Sequence, residues 1–449
     1  MHESRALLLS ESNLVLNVKD FQATGDGKTD DTPAFVKGLE QLAEKGGGTL
    51  LIPPGTYLVA DLSIGSGTVI KGSGSPIPTL VRRADAQNIL DISSPHFADA
   101  GGFLHDITVE NVILQGRSKQ DGFSEHIHNL NALGIERLSI LNVRFEAFQG
   151  DGIYLGTRRR ANGEIIHNSE IKIIDNVFEG ANNENRNGIS IIDCLHCTLE
   201  HNVFYHISRP DMPGAIDIEP NQTNEVIRGV MIRNNTITGN NGGVGAISVA
   251  LNLRDFSEAP NQIVIEDNHI ENSKNGITML WKGAPLTGSR PSLNSVIRNN
   301  VVRGVDRPMT LDGTVGITVD ENEFSDSRME IQLGCSFGAT GLHFIHNRFQ
   351  RIGSNSLQGI TMCGPMSDVV FERNEFADLG SPEKEGSAIY VRRGTATNVR
   401  FTANTFSSRA RAGKTTIRAE RGTASIERET FVWQENVLQN VKHPGSMPQ

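Results

Sequence analysis

Cysteine is scarce in this chain of 449 residues: Cys194, Cys197, Cys335 and Cys363 are all there is. So few cannot organise so long a chain as a disulfide framework. "CLHC" at 194–197 lacks the second half that a zinc site needs, so these cysteines read as ordinary strand residues. Aromatic residues make up only 6% of the chain, so any core has to be built from Ile, Val and Leu. Basic residues nowhere form a block, and the net charge is −10. That balance excludes a general nucleic-acid binder and leaves a polyanionic ligand only a local basic cleft. No apolar run approaches the roughly 20 residues of a membrane-spanning helix. The opening "MHESRALLLSESN" pairs a short apolar run with an acidic flank, unlike a secretory signal. The expected partners therefore include neither nucleic acid nor membrane.

What is present is repetition. From about residue 105 a phrase recurs, as in "ITVENVIL", "LSILNVRF", "IKIIDNVF", "VMIRNNTI", "LHFIHNRF" and "VRFTANTF". Its asparagines run from Asn111 and Asn142 through Asn176 and on to Asn404, at separations of 22 to 34 residues. That spacing belongs to a solenoid, and the two-residue alternation of apolar side chains makes its coils from strands rather than helices. The reading is an all-β, parallel solenoid of about 10 to 12 coils. Asparagine is expected in the left-handed backbone of a tight bend, its amide also bonding to the next coil. Variable stretches such as "EGANNENRNG" and "YHISRPDMPG" fall at one corner of each coil, where they would wall a groove.

Three aspartates crowd into "GDGKTDDTPAF" (25–35). They read as architecture. Asp31 or Thr32 supplies an N-cap oxygen, Pro33 suits the first turn, and Phe35, Leu39 and Leu42 line one face of a helix over about 32–44. A helix there would cap the open end of the first coil. The expected organisation is a single domain over 1–449, with a cap region over 14–48 and coils over about 49–440.

The stretch "VKDFQATGDGKTDDTPAFVKGLEQLAEKGGGTLLIPPGTYLV" resembles the N-terminal signature of the pectate-lyase-like superfamily. The resemblance implies a right-handed parallel β-helix with an N-terminal capping helix and saccharide-related biology. Polygalacturonases, pectate lyases, alginate epimerases and phage tailspikes share that fold, so it leaves the reaction open.

Chemistry is sought on the strand that follows each variable loop. "DGIYLG", "NGISIID", "GAIDIEP", "GAISVAL" and "NGITMLW" align so that Tyr154, Ser190, Asp217, Ser248 and Thr278 form one outward row. Asp217 and Glu219 share a strand face about 6.6 Å apart, and Asp193 and Asp151 on neighbouring coils are expected to face the same groove. Crowded carboxylates split their pKa values into one acid and one base, the pair that glycoside hydrolysis needs. Polygalacturonase-like relatives place aspartates on consecutive coils of such a face, which the resemblance carries to these positions. Trp281 is expected to stack on a sugar ring, while Lys282, Arg254 and Arg158 would hold a substrate carboxylate. His126 and His128 read as structural. The leading expectation is a polysaccharide-cleaving glycoside hydrolase, monomeric or homotrimeric, using neither metal nor cofactor. The alternatives are a lyase or epimerase acting on uronic acids, and a non-catalytic carbohydrate-binding spike or adhesin.

Overall fold

The computed structural model describes residues 14–98, 102–181, 184–283, 290–409 and 414–442. Each coil contributes three short strands to three parallel faces. In one coil these are Ser169–Ile174, Val177–Glu179 and Ile189–Ile191, and Cys194–Glu200 then begins the next coil beside Ser169–Ile174. The middle face stacks 15 strands from Asp26–Asp30 to Val437–Gln439, giving an all-β solenoid of about 14 turns. The count exceeds that expected from the asparagine repeats because the first coils, and the last, lie outside the stretch over which those repeats run. The interior is a column of Ile, Val and Leu, joined by phenylalanine stacks such as Phe145–Phe178–Phe204 with ring centroids 4.7 Å apart. Stacking suits these rings because successive coils present identical side chains at the strand spacing.

The asparagine repeat is a hydrogen-bonded ladder, and its bend residue is not the asparagine. Asn176 donates its amide side chain to Ile140 O and to Asn202 Oδ1, and Asn202 repeats the pattern with Ile173 O and Asn235 Oδ1. The series continues to Asn436. Left-handed backbone falls one residue earlier, at Asp175, Asn234 and Asp267. Asn111 and Asn142 occupy that earlier position, with φ of 56° and 51°, so they stand one residue out of the ladder. The ladder position in their coils holds buried Val112 and Val143.

Helix α1 spans Thr32–Glu44, with Pro33 in its first turn and Phe35, Leu39 and Leu42 buried against the first coil. The acidic stretch ahead of it shapes turns. Asp31 makes no side-chain cap; its carboxylate accepts the N–H groups of Thr24 and Gly25. Asp26 accepts those of Lys28 and Thr29, and Asp30 that of Thr32. The sulfurs of Cys194 and Cys197, and of Cys335 and Cys363, are paired as disulfides rather than standing as free strand cysteines. Among the described residues no helix is long and apolar enough to cross a membrane.

Candidate functional site

On the third face the pairings Tyr154–Ser190, Ser190–Asp217, Asp217–Ser248 and Ser248–Thr278 put the outward row in register from coil to coil. Ser190, Asp217, Ser248 and Thr278 are nonetheless buried, and the loop carrying Arg186 and Asn187 folds back over Ser190 and Asp217. Glycine ahead of the strand lets consecutive coils and the core ring beneath approach closely. A Cβ on Gly188 would lie 2.8 Å from both Ala215 O and the Phe204 ring.

The loop preceding Ile189–Ile191 delivers Arg186 onto this row. Its guanidinium lies 3.2 Å from Asp151, 3.2 Å from Glu219, 4.0 Å from Asp217 and 3.7 Å from Glu125, and it donates to Ser190 Oγ at 2.8 Å. Burial disfavours this cation, yet Asp151, Asp217, Glu219 and Glu125 together raise its pKa well above the ordinary guanidinium value. Next door, Asn187 donates its backbone N–H to Asp151 and its side-chain amide to Ser190 Oγ. Asp217 is completely buried. Burial, and then the charge of Glu219, push its carboxyl well above the usual carboxylate range, against the pull of Arg186. Glu219 is partly exposed and also accepts from Asn252 at 2.6 Å.

Beside this cluster opens a cleft of about 290 Å³, lined by Glu125, His126, His128, Asp151, Tyr154 and Arg186, and by Ile192 and Asn221, which follow the third-face strands. The rings of His128 and Tyr154 stack 5.0 Å apart. Burial lowers the His128 pKa against the opposing pull of Asp151, so the ring is neutral at pH 7. The Asp151 N–H donates to His128 Nδ1 at 3.1 Å, which leaves the ring proton on Nε2. Burial and the charge of Asp151 push the Tyr154 phenol up to about 12, so it too is a proton donor at neutral pH. The cleft thus joins two neutral donors, an exposed imidazole at His126 and a guanidinium among carboxylates.

The other residues singled out in the sequence are placed elsewhere. Asp193 is buried at the corner leaving this face, where it accepts the N–H groups of Asn168 and Val226 and pairs with His167 at 2.7 Å. Its carboxylate is consumed by the turn. Trp281 is only 1% exposed, donates to Leu253 O and packs edge-on against Phe256, so it cannot serve as a sugar platform. Arg158 is buried in a hairpin pairing Arg158–Arg159 with Ile165–Ile166, and it donates to Gly102 O. Its exposed neighbour Arg159 reaches Gln222, next to cleft-lining Asn221. Lys282 and Arg254 are exposed several coils away, beside Gly283. Sequence reasoning misses Arg186, which stands in a variable loop, and takes His128 as structural. The signal available is an arginine three residues ahead of an aligned strand whose outward row carries an acid on the next coil.

Comparison with known proteins places these features in a family context. Residues 15–206 match the family model described as rhamnogalacturonase A/epimerase, pectate lyase-like, and residues 257–431 match a right-handed β-helix region. Alginate lyase 7 of Azotobacter vinelandii is 32% identical over 29% of this chain and 17% of its own length. Mannuronan C5-epimerase AlgE1 of the same organism is 26% identical over 40% of this chain and 14% of its own length. The matched stretches thus span less than a fifth of either relative. Among solved structures, the A-module of mannuronan C-5 epimerase AlgE6 from A. vinelandii superposes with a TM-score of 0.52 at 15% identity, covering 95% of this chain and 94% of that one. At that identity the likeness is one of fold.

Proposed function

This chain belongs to the pectate-lyase-like superfamily of right-handed β-helix proteins, and from that premise we propose that it is a carbohydrate-active enzyme working on a polyuronate at the carbon beside the carboxylate. The observation that carries the reading is the cleft itself. It gathers Tyr154, His128, His126 and Arg186, whereas Asp217, half of the expected hydrolytic pair, is sealed beneath it. A sealed acid cannot hand its proton to a glycosidic oxygen. The names of the curated relatives, an alginate lyase and a C5-epimerase, point the same way.

Removing the C5 proton of a uronate builds negative charge on its carboxylate, which donors already in place stabilise without reorganisation. Arg186, the Tyr154 hydroxyl and His128 Nε2–H are the donors in this reading, and the His126 imidazole at the rim takes the proton. Glu125, half-exposed and 3.7 Å from Arg186, is the carboxylate that a substrate's own would replace. From the resulting carbanion two outcomes are open. A proton returned to the opposite face of C5 gives the epimer. Breaking the C4–O bond, with Tyr154 protonating the leaving oxygen, gives an unsaturated end.

Glycoside hydrolysis is the second reading, favoured by partly exposed Glu219 standing on one strand face with Asp217, whose pKa is raised by burial and by Glu219. One experiment separates them. Polymannuronate and polygalacturonate are incubated with the protein in D2O, and deuterium at C5, ultraviolet-absorbing ends and reducing ends are followed together. Deuterium or unsaturated ends are expected, with Tyr154→Phe slower by about 10²-fold or more. Reducing ends with neither signal would assign hydrolysis instead.

A further inference from the structure

We propose a second saccharide subsite on the same face of the solenoid, in which Arg290 takes the carboxylate of a uronate residue and Phe337 takes the face of its ring. The inference rests on the polyuronate reading above for its ligand class. The site is a cleft of about 620 Å³ lined by Arg290, Phe337, Thr314, Thr340, Gly338 and Pro365, among others. It opens beyond the C-terminal ends of the third-face strands, on the side where Ile192 and Asn221 border the first cleft. Pairings run from Ile191 through Ile218, Val249, Met279 and Leu311 to Leu333. At about 4.8 Å per coil these five steps span roughly 24 Å along the axis, and the first cleft reaches from the N-terminal ends of these strands, at His126 and Arg186, across to Ile192 and Asn221.

Arg290 is built to hold an anion and has none. Its Nη1 donates to two backbone carbonyls, Trp281 O at 2.7 Å and Gly313 O, which fix the guanidinium. Trp281 lies beneath it with 5.3 Å from ring centroid to Cζ, so the buried indole positions an arginine rather than a sugar. Among the described residues no carboxylate lies within ion-pair distance of Arg290, whose guanidinium lines the cleft while its Nε is buried. The acid whose charge reaches Arg290, Asp312, stands next to cleft-lining Gly313 and is committed to the N–H groups of Ser336 and Phe337. Arg186 is the opposite case, with carboxylates on every side. A half-buried guanidinium that lines a cleft without an ion-pair partner suits a carboxylate.

Phe337 supplies the second element. It is 43% exposed, one of few large apolar side chains in that condition, and its ring borders the cleft that Arg290 lines. An exposed aromatic beside a fixed cation suits a ring that is apolar on one face and carries a carboxylate at its edge. Exposed Lys282 and Arg254 flank the mouth at Gly283, so the surroundings are basic in a chain of net charge −10. A polyuronate crossing the third face from His126 past Ile192 and on along the axis would engage this cleft and the first one together.

Electrophoresis of the native protein through gels containing polymannuronate or polygalacturonate, with carboxyl-reduced polymer as control, tests the proposal. Retardation by a polyuronate and not by the reduced polymer is expected. Arg290→Gln and Phe337→Ala should each weaken it roughly tenfold, with melting curves showing that both variants remain folded. Turnover of oligomers too short to bridge the two clefts should be unchanged in both. Wild-type migration of both folded variants, or no retardation of the wild type, overturns the subsite. If the variants lose binding while no protein exchanges the C5 proton or makes unsaturated ends, the subsite stands and the catalytic reading falls. Active protein whose folded variants bind as tightly as the wild type overturns the subsite and leaves the catalytic reading standing.

Discussion

At the scale of single residues, Asp217 carries the clearest electrostatic consequence. Its folded pKa is raised, by burial first and the charge of Glu219 second. A carboxyl of that kind favours the folded state when protonated. The benefit is complete below the unfolded value of about 3.9 and is lost as pH rises through the folded one. Asparagine keeps the shape and cannot ionise. The melting temperature of the wild type minus that of Asp217→Asn should therefore decline as pH is raised from about 4 across the neutral range. A difference that stays flat over that range would show that Asp217 titrates normally. The same residue marks the limit of what sequence reveals here. Alternation along "GAIDIEP" correctly sets Ile216 and Ile218 inward and Asp217 outward. It carries no information about the loop that brings Arg186 and Asn187 over the outward face. Trp281 escapes a strand-by-strand reading for the same reason: its burial comes from Phe256 and Arg290, both in segments outside its own strand.

At the scale of elements, the ladder is legible as a recurrence, though its geometry is not. The repeat of asparagine is visible in the sequence, but whether it bends the chain or bonds between coils depends on a one-residue offset. "DN", "HN", "NN" and "RN" all place the left-handed residue first, so the residue that bends varies while the one that bonds is fixed. A left-handed turn tolerates several short or flexible side chains, whereas only a primary amide both accepts from the coil behind and donates to the coil ahead. Asn268 shows how much depends on it. Its Oδ1 accepts from the backbone and the side chain of Asn235, and its amide donates to Ile232 O and Asn300 Oδ1. Replacing it with alanine strands buried groups on both sides, at about 2–4 kcal/mol. Asn436 ends the ladder, where water reaches its partly buried groups, and its alanine variant should cost about 1 kcal/mol. Urea denaturation of the two variants checks the contrast, and equal losses would show that position along the ladder does not matter.

At the scale of the whole molecule, a solenoid holds together through contacts between neighbouring coils, so its ends decide whether it stays single and soluble. The first coil would offer an unpaired parallel edge at Val15–Asn17, whose other side pairs with Gly48–Ile52, and an open apolar interior. Helix α1 closes that end with Phe35, Leu39 and Leu42, and Leu42 is wholly buried beside the N-terminal strands. Its aspartate variant places a charge in that seam, which the helix can escape only by lifting away. Because coils couple to their neighbours, damage should spread from this end and fade along the axis. Hydrogen exchange in Leu42→Asp is therefore expected to quicken in Gly48–Ile52 and Thr68–Gly72 while Ile153–Gly156 and Ile216–Ile218 keep wild-type protection. Size-exclusion chromatography should show the variant self-associating through its uncovered edge, with turnover per folded molecule preserved. Uniform loss of protection along the chain would mean that the coils unfold as one block, and that the helix stabilises the site instead of merely closing an end.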